Sequence, residues 1–276
     1  MPRGKNKMAQ PILDQIVASV RERLSVMRIE IRISDLEDRP MFSRETLSLA
    51  GAIKQERLSI IAEVKKASPS QGVIRNDFDP EKLSANYAEA GAEAISVVTE
   101  PEFFQGQLAH LEIVRNKVDV PLLRKDFIID PYQITEAKAH GADAVLLIAT
   151  ILSRSQLDEL WTAANECGLE CLVELYEEKE LERVEMDRVE ILGVNNRDLQ
   201  TFQIDIDRAS RILSRVPSHI VRVAESGFKS SEDLRRVHQA GIDAVLIGET
   251  LMRAENPGEC LVELRKGFTS RSVKDD

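Results

Sequence analysis

Charged residues close several apolar runs that should otherwise hold none. Ile60-Ile61-Ala62-Glu63-Val64-Lys65 places Glu63 and Lys65 two residues apart, and Leu122-Leu123-Arg124-Lys125 ends on Lys125. Cys171-Leu172-Val173-Glu174 ends on Glu174, Gly193-Val194-Asn195-Asn196-Arg197 carries Asn195 and Arg197, and Val223-Ala224-Glu225 ends on Glu225. Strands buried on both faces read as continuous apolar runs, so each terminal charge asks for a reason. One such residue fits a structural salt bridge as well as a functional role. The whole set does not, because burying many charges is costly unless they serve chemistry. Gathered at one mouth, they would push each other's pKa values apart and suit acid–base chemistry on an anionic ligand.

A second signal follows the last two apolar runs. Glu225-Ser226-Gly227 and Gly248-Glu249-Thr250 offer small residues whose backbone N–H groups can approach an anion. Either motif alone is an ordinary turn. Together, Ser226, Gly227, Gly248 and Glu249 point to a phosphate seat.

The elements that must position these groups show in a repeat. Ala90-Gly91-Ala92-Glu93-Ala94-Ile95, His140-Gly141-Ala142-Asp143-Ala144-Val145 and Ala240-Gly241-Ile242-Asp243-Ala244-Val245 share one pattern. In each, a glycine ends a helical stretch and an apolar strand begins. Strands are expected at 59–65, 94–99, 121–125, 144–148, 170–174, 191–194, 221–224 and 244–247, with amphipathic helices at 81–90, 108–117, 132–140, 154–167, 177–184, 207–215 and 231–240. Alternating strands and helices predict an α/β fold, a (β/α)8 TIM barrel with an N-terminal helical extension. A doubly wound open sheet is the alternative, weakened by the lack of GxGxxG after the first strand. Residues 1–58 are expected to form the extension, with a helix at 11–28 packed on the barrel, and 59–268 the barrel, as a single domain. Residues 1–10 and 270–276 read as unpacked ends.

Composition narrows the classes. The 276 residues carry 37 Lys+Arg against 47 Asp+Glu, a net charge of −10, which disfavours nucleic acid as a partner. The longest apolar run, from Ala144 to Ala149, is far too short to span a bilayer, and no signal peptide is evident. Three cysteines without a CxxC pair suit a reducing cytoplasm, and four scattered histidines argue against a metal site. Cys171 and Trp161 read as packing, and His110 as a helix-surface residue.

These motifs, in this order, resemble the indole-3-glycerol phosphate synthase family. Ile61-Ala62-Glu63-Val64-Lys65-Lys66-Ala67-Ser68-Pro69-Ser70 is similar to its first-strand signature. Leu123-Arg124-Lys125-Asp126-Phe127, Leu172-Val173-Glu174, Gly193-Val194-Asn195-Asn196-Arg197-Asp198-Leu199, Ala224-Glu225-Ser226-Gly227 and Ile247-Gly248-Glu249-Thr250-Leu251-Met252 resemble the later ones, and Thr99-Glu100 with Phe103-Phe104-Gln105-Gly106 the second-strand loop. The likeness runs from about Ile12 to Met252. Tyr176 stands where many members carry His, and Thr250 replaces the commoner Ser.

The resemblance implies a cofactor-independent carboxy-lyase of tryptophan biosynthesis. It would convert 1-(2-carboxyphenylamino)-1-deoxyribulose 5-phosphate to indole-3-glycerol phosphate by ring closure, decarboxylation and dehydration. Lys125 would then be the general acid for ring closure, its pKa lowered by Lys65 nearby, and Glu174 the carboxylate of proton transfer. Glu63 and Asn195 would hold the reacting part, Lys65 and Arg197 the substrate's anionic groups with Ser68 beside them, and Glu225 would bind substrate. Phe104 and Phe127 would wall the anthranilate ring, and Ser226, Gly227, Gly248 and Glu249 would cradle the phosphate. Residues 66–77 would act as a lid. The expected partner is the phosphorylated small molecule, for a monomer or weak homodimer open to association with other tryptophan-pathway enzymes. Two rivals stay open on the residues alone: another phosphate-binding barrel enzyme, such as a Schiff-base aldolase using Lys125, and a barrel that binds without catalysis.

Overall fold

The computed structural model describes residues 11–198 and 201–266. The expected unpacked ends at 1–10 and 270–276, Leu199 of the sixth-strand motif and the final positions of the 59–268 span lie outside the described residues.

Three helices precede the first strand: α1 (Ile12–Glu30), α2 (Ile33–Glu37) and α3 (Leu49–Ile53). Strands and helices then alternate: β1 (Ser59–Val64), α4 (Pro80–Glu89), β2 (Ala94–Val98), α5 (Ala109–Arg115), β3 (Leu122–Lys125), α6 (Pro131–Ala139), β4 (Ala144–Ile148) and α7 (Arg154–Glu166). They continue through β5 (Glu170–Leu175), β6 (Ile191–Asn195), α8 (Arg208–Leu213), β7 (Val221–Glu225), α9 (Ser231–Gln239), β8 (Ala244–Ile247), α10 (Glu249–Arg253) and α11 (Pro257–Arg265). The eight strands pair in parallel, and β1 meets both β2 and β8, which closes the barrel. After β5 the expected helix at 177–184 is a 3₁₀ turn, Glu178–Arg183. Glu180 is drawn back instead: its carboxylate accepts the N–H groups of Tyr176 and Glu177.

Side-chain alternation sorts the strands into two cores. Ile60, Ala62 and Val64 of β1, with Leu122, Val145, Val173 and Val245, pack outward against the helices. Ile61, Leu123, Leu146, Leu172, Val223 and Leu246 fill the barrel itself. Leu49 and Ile53 of α3 join that inner cluster and are fully buried, plugging the N-terminal end. Ser48 caps α3 by accepting the Gly51 N–H at 2.9 Å, which fixes the plug in place.

The extension packs where it matters for the opposite end. Ile16, Val20 and Leu24 recur at helical spacing on α1 and meet Leu36, Tyr132, Phe104 and Phe127. Each such burial contributes about 1.5–3 kcal/mol. Arg23, on the same helix, reaches Glu100 at 3.5 Å and Asp126 at 4.0 Å, in the segments that follow β2 and β3. Among the described residues no helix is long and apolar enough to cross a membrane.

Candidate active site

The strand phase that buries the barrel also aims the chemistry. With Ile61 inward, Glu63 points inward one layer nearer the C-terminal mouth. Leu123 and Lys125, Leu172 and Glu174, and Val223 and Glu225 repeat that spacing. An apolar residue fills the barrel, and the residue two positions on carries the functional group.

These groups open into a cavity of about 510 Å³. All fourteen candidate positions line it: Glu63, Lys65, Ser68, Phe104, Lys125, Phe127, Glu174, Asn195, Arg197, Glu225, Ser226, Gly227, Gly248 and Glu249. Ile12, Leu13 and Ile16 of α1 line it as well, a contribution that the sequence reading did not assign to the extension. The Phe104 and Phe127 rings lie 6.0 Å apart between centroids, tilted by 39°. They give one side of the cavity an apolar wall.

Lys125 sits between two buried carboxylates. Its Nζ donates to Glu225 Oε2 at 2.7 Å and to Glu174 Oε2 at 3.1 Å. Asn195 Nδ2 donates to the same Glu174 oxygen at 3.4 Å. Two buried carboxylates share one ammonium, so negative charge is in excess there. Burial pushes Glu225 up to about 8; Lys125 opposes the rise and the Glu174 charge adds to it.

The Lys125 pKa moves the opposite way from expectation. Burial alone would lower it, but Glu174, Glu225 and Glu63 outweigh burial and raise it above the ordinary lysine value. Lys65 is not among the groups that set it, and is itself ion-paired with Glu63. For Glu63, burial works against the charge, yet Lys65, Lys125 and Arg197 together hold its pKa below the usual carboxylate value.

The rim is built from the ends of β7 and β8. Ser226 takes φ of +68° and Gly227 φ of +95°, a left-handed turn that costs a serine energy and glycine little. The Ser226 N–H is not free for an anion, since it reaches Leu246 O at 3.4 Å. Gly248 has no room for a side chain, because a Cβ there would collide with the Glu63 carboxylate. Arg197 Nη2 donates to Glu249 Oε2 at 2.7 Å. This constellation is a cavity mouth with buried acidic and basic groups on its floor and a glycine-bearing rim. The indole-3-glycerol phosphate synthase family pattern matches residues 13–264.

The chain belongs to the indole-3-glycerol phosphate synthase family.

It is similar to the indole-3-glycerol phosphate synthase of Salinibacter ruber, 56% identical over 256 residues, which cover 92% of this chain and 95% of that one. The synthase of Acetivibrio thermocellus is 45% identical, covering 92% and 99%. Among solved structures, the thiamine phosphate pyrophosphorylase of Pyrococcus furiosus superposes with a TM-score of 0.56 at 17% identity, covering 78% of this chain and 96% of that one. A mutant tryptophan synthase α-subunit from the same organism gives 0.55 at 14%, covering 76% and 98%. At such identities the two structures share the barrel with this chain and nothing finer. The family match runs past Met252 to residue 264. It takes in most of α11, whose Leu261 and Leu264 are buried.

A network behind the wall escaped the sequence reading. Glu100, fully buried, accepts the N–H groups of Glu102, Phe103 and Phe104 at 2.7–3.1 Å. Asp126 accepts the Phe127 N–H at 2.8 Å and the Thr99 hydroxyl at 2.6 Å. Arg124, on the outward face of β3, is held by Glu136 at 2.7 Å and Asp126 at 3.1 Å. These groups set the backbone that presents both phenylalanines and Lys125. A signal was present in Arg124, a charge on an outward, helix-facing strand position. His110 also departs from expectation: it is buried, its ring 5.3 Å from that of Phe78.

Proposed function

We propose that the cavity closes an indole ring, with Lys125 as general acid and Glu174 as the group that takes up the proton lost in dehydration. Family membership makes the chain a carboxy-lyase of tryptophan biosynthesis that forms indole-3-glycerol phosphate. The observation that carries the division of roles is the Lys125 ammonium held between Glu174 and Glu225 on the cavity floor.

In this reading the carboxylate-bearing ring carbon attacks the ketone of 1-(2-carboxyphenylamino)-1-deoxyribulose 5-phosphate. The carbonyl oxygen gains negative charge, and the Lys125 ammonium stabilises it and then protonates it. A developing alkoxide is a stronger base than an amine, so a raised lysine pKa does not block the transfer. Loss of CO₂ restores the aromatic ring. The new C–O bond then breaks as the leaving hydroxyl takes a proton from an ammonium of the cavity and departs as water, while the C–H beside the ring nitrogen gives its proton to Glu174 and its electron pair to the new C=C bond. Asn195 orients Glu174 through its 3.4 Å hydrogen bond.

Phe104, Phe127 and the α1 residues Ile12, Leu13 and Ile16 flank the ring and exclude water from it. Glu63 fixes Lys65 beside the reacting centre, and Ser68 lies on the same side. Gly227, Gly248 and the Glu249 N–H seat the phosphate, next to Arg197. Because α1 supplies part of the wall, we read 1–58 and 59–268 as one functional domain. It acts in the cytoplasm on a small phosphorylated substrate, as a monomer or weak homodimer.

The test is to incubate the protein with the ribulose phosphate and follow indole fluorescence. Lys125→Ala should lose turnover yet still bind a phosphate-bearing product analogue, since it acts in the transition state. Activity within a few-fold of the unchanged protein would remove Lys125 from the mechanism. A borohydride-trapped adduct on Lys125 would instead favour an aldolase.

A further inference from the structure

The rim of the cavity already holds an anion of the protein's own. Glu249 Oε2 accepts from Arg197 Nη2 at 2.7 Å, and Oε1 accepts from Arg253 Nε at 3.1 Å. Arg253 Nη2 donates in turn to Gln71 Oε1 at 2.6 Å. Gln71 lies between β1 and α4, in the turn of a hairpin that pairs Ala67–Ser68 with Gly72–Val73. One carboxylate therefore bridges two guanidiniums, and the second guanidinium reaches across to the segment after β1. Arg197, Glu249, Arg253 and Gln71 line the same cavity as Gly227 and Gly248.

We propose that Glu249 sets the affinity of this rim for phosphate: its carboxylate occupies the guanidiniums that a ligand's phosphate must win. The proposal rests on the reading of the rim as the phosphate seat. A guanidinium fork accepts carboxylate and phosphate with similar geometry, so the two compete for the same donors. Glu249 directly follows Gly248, so a phosphate seated on that backbone meets a like charge until the side chain leaves. The side chain is 30% exposed, which gives it a route into solvent. Its departure frees Arg197 and Arg253 together. Arg253, still within reach of Gln71, then joins the phosphate to the segment after β1. Glu249 is thus a specificity-determining residue through its side chain, and Arg253 a phosphate-binding residue that the sequence motifs did not single out.

Inorganic phosphate is the probe. The unchanged protein, Glu249→Gln and Arg253→Gln are titrated with it, reading the thermal unfolding midpoint and competitive inhibition of indole formation. Glu249→Gln should bind phosphate about fivefold more tightly, the scale of a partly exposed ion pair, with KM falling in parallel. Arg253→Gln should bind it about fivefold more weakly. Anthranilate, which carries a carboxylate and no phosphate, should move less than twofold in either variant.

Phosphate affinity unchanged or weakened in Glu249→Gln overturns the proposal. So does a gain confined to anthranilate, which would make the displaced anion a carboxylate. Unaltered phosphate binding in Arg253→Gln overturns the assignment of Arg253. The midpoint readout needs no turnover. A protein that makes no indole yet binds phosphate as described sinks the functional reading and leaves this one standing.

Discussion

Glu225→Gln isolates the excess negative charge on the cavity floor. The change keeps the shape of the side chain and an acceptor for the Lys125 ammonium, 2.7 Å away, and removes one titratable group. In the folded protein Glu225 holds its proton up to about 8, against an ordinary value of 4.5. Its folded pKa is therefore raised. Between those two values the folded state binds a proton that the unfolded chain has released, so rising pH favours unfolding. The Glu225 contribution falls by about 1.4 kcal/mol per pH unit across the window, a total on the order of 5 kcal/mol. The variant lacks this slope.

Urea unfolding of both proteins from pH 5 to 9, in phosphate-free buffer, measures the difference. The single tryptophan, Trp161, lies with the Arg188 guanidinium 4.1 Å from its ring centroid and serves as the fluorescent reporter. The stability of Glu225→Gln minus that of the unchanged protein should climb steadily from pH 5 and level off above pH 8. Titrations of groups that do not contact Glu225 cancel in the difference. A difference flat with pH, or one that falls as pH rises, would mean that Glu225 is ionised throughout. The account of one ammonium shared between two carboxylates would then fail.

Three further outcomes are expected. Glu174→Gln should lower kcat about a hundredfold or more while KM shifts far less, and near-normal turnover in the fluorescence assay would exclude Glu174 from proton transfer. Gly248→Ala pushes a methyl group into the Glu63 carboxylate, so denaturant unfolding should show a loss of about 1–3 kcal/mol and the variant a raised KM; a variant as stable as its parent would show that the rim yields freely. Ile16→Ala should cost about 2–4 kcal/mol by the same method, since the residue is buried, and should raise KM because the side chain also lines the cavity; an unchanged KM would separate α1 from the site.

What the residues reveal on their own is set by short-range regularities. The barrel strands are legible because each is buried on both faces and reads as an apolar run, as in Ala144-Val145-Leu146-Leu147-Ile148. The period of two that places Leu172 in the barrel places Glu174 at its mouth, so the charged strand-end candidates could be named before any fold was seen, whereas Ser68, Phe104 and Phe127 came from the family resemblance. The partners of those residues are another matter. Lys125 meets Glu174 from 49 positions away and Glu225 from 100, and only closure of the sheet at its actual register brings the three together. The sign of the Lys125 shift depends on that encounter, and so the expected help from Lys65 gave way to three carboxylates. The α1 wall, the α3 plug and the Arg197–Glu249 pair arise the same way, from neighbours distant in the chain. Periodicity is a property of a few consecutive residues, whereas charge interactions and packing act through space, and it is the tertiary fold that sets those distances.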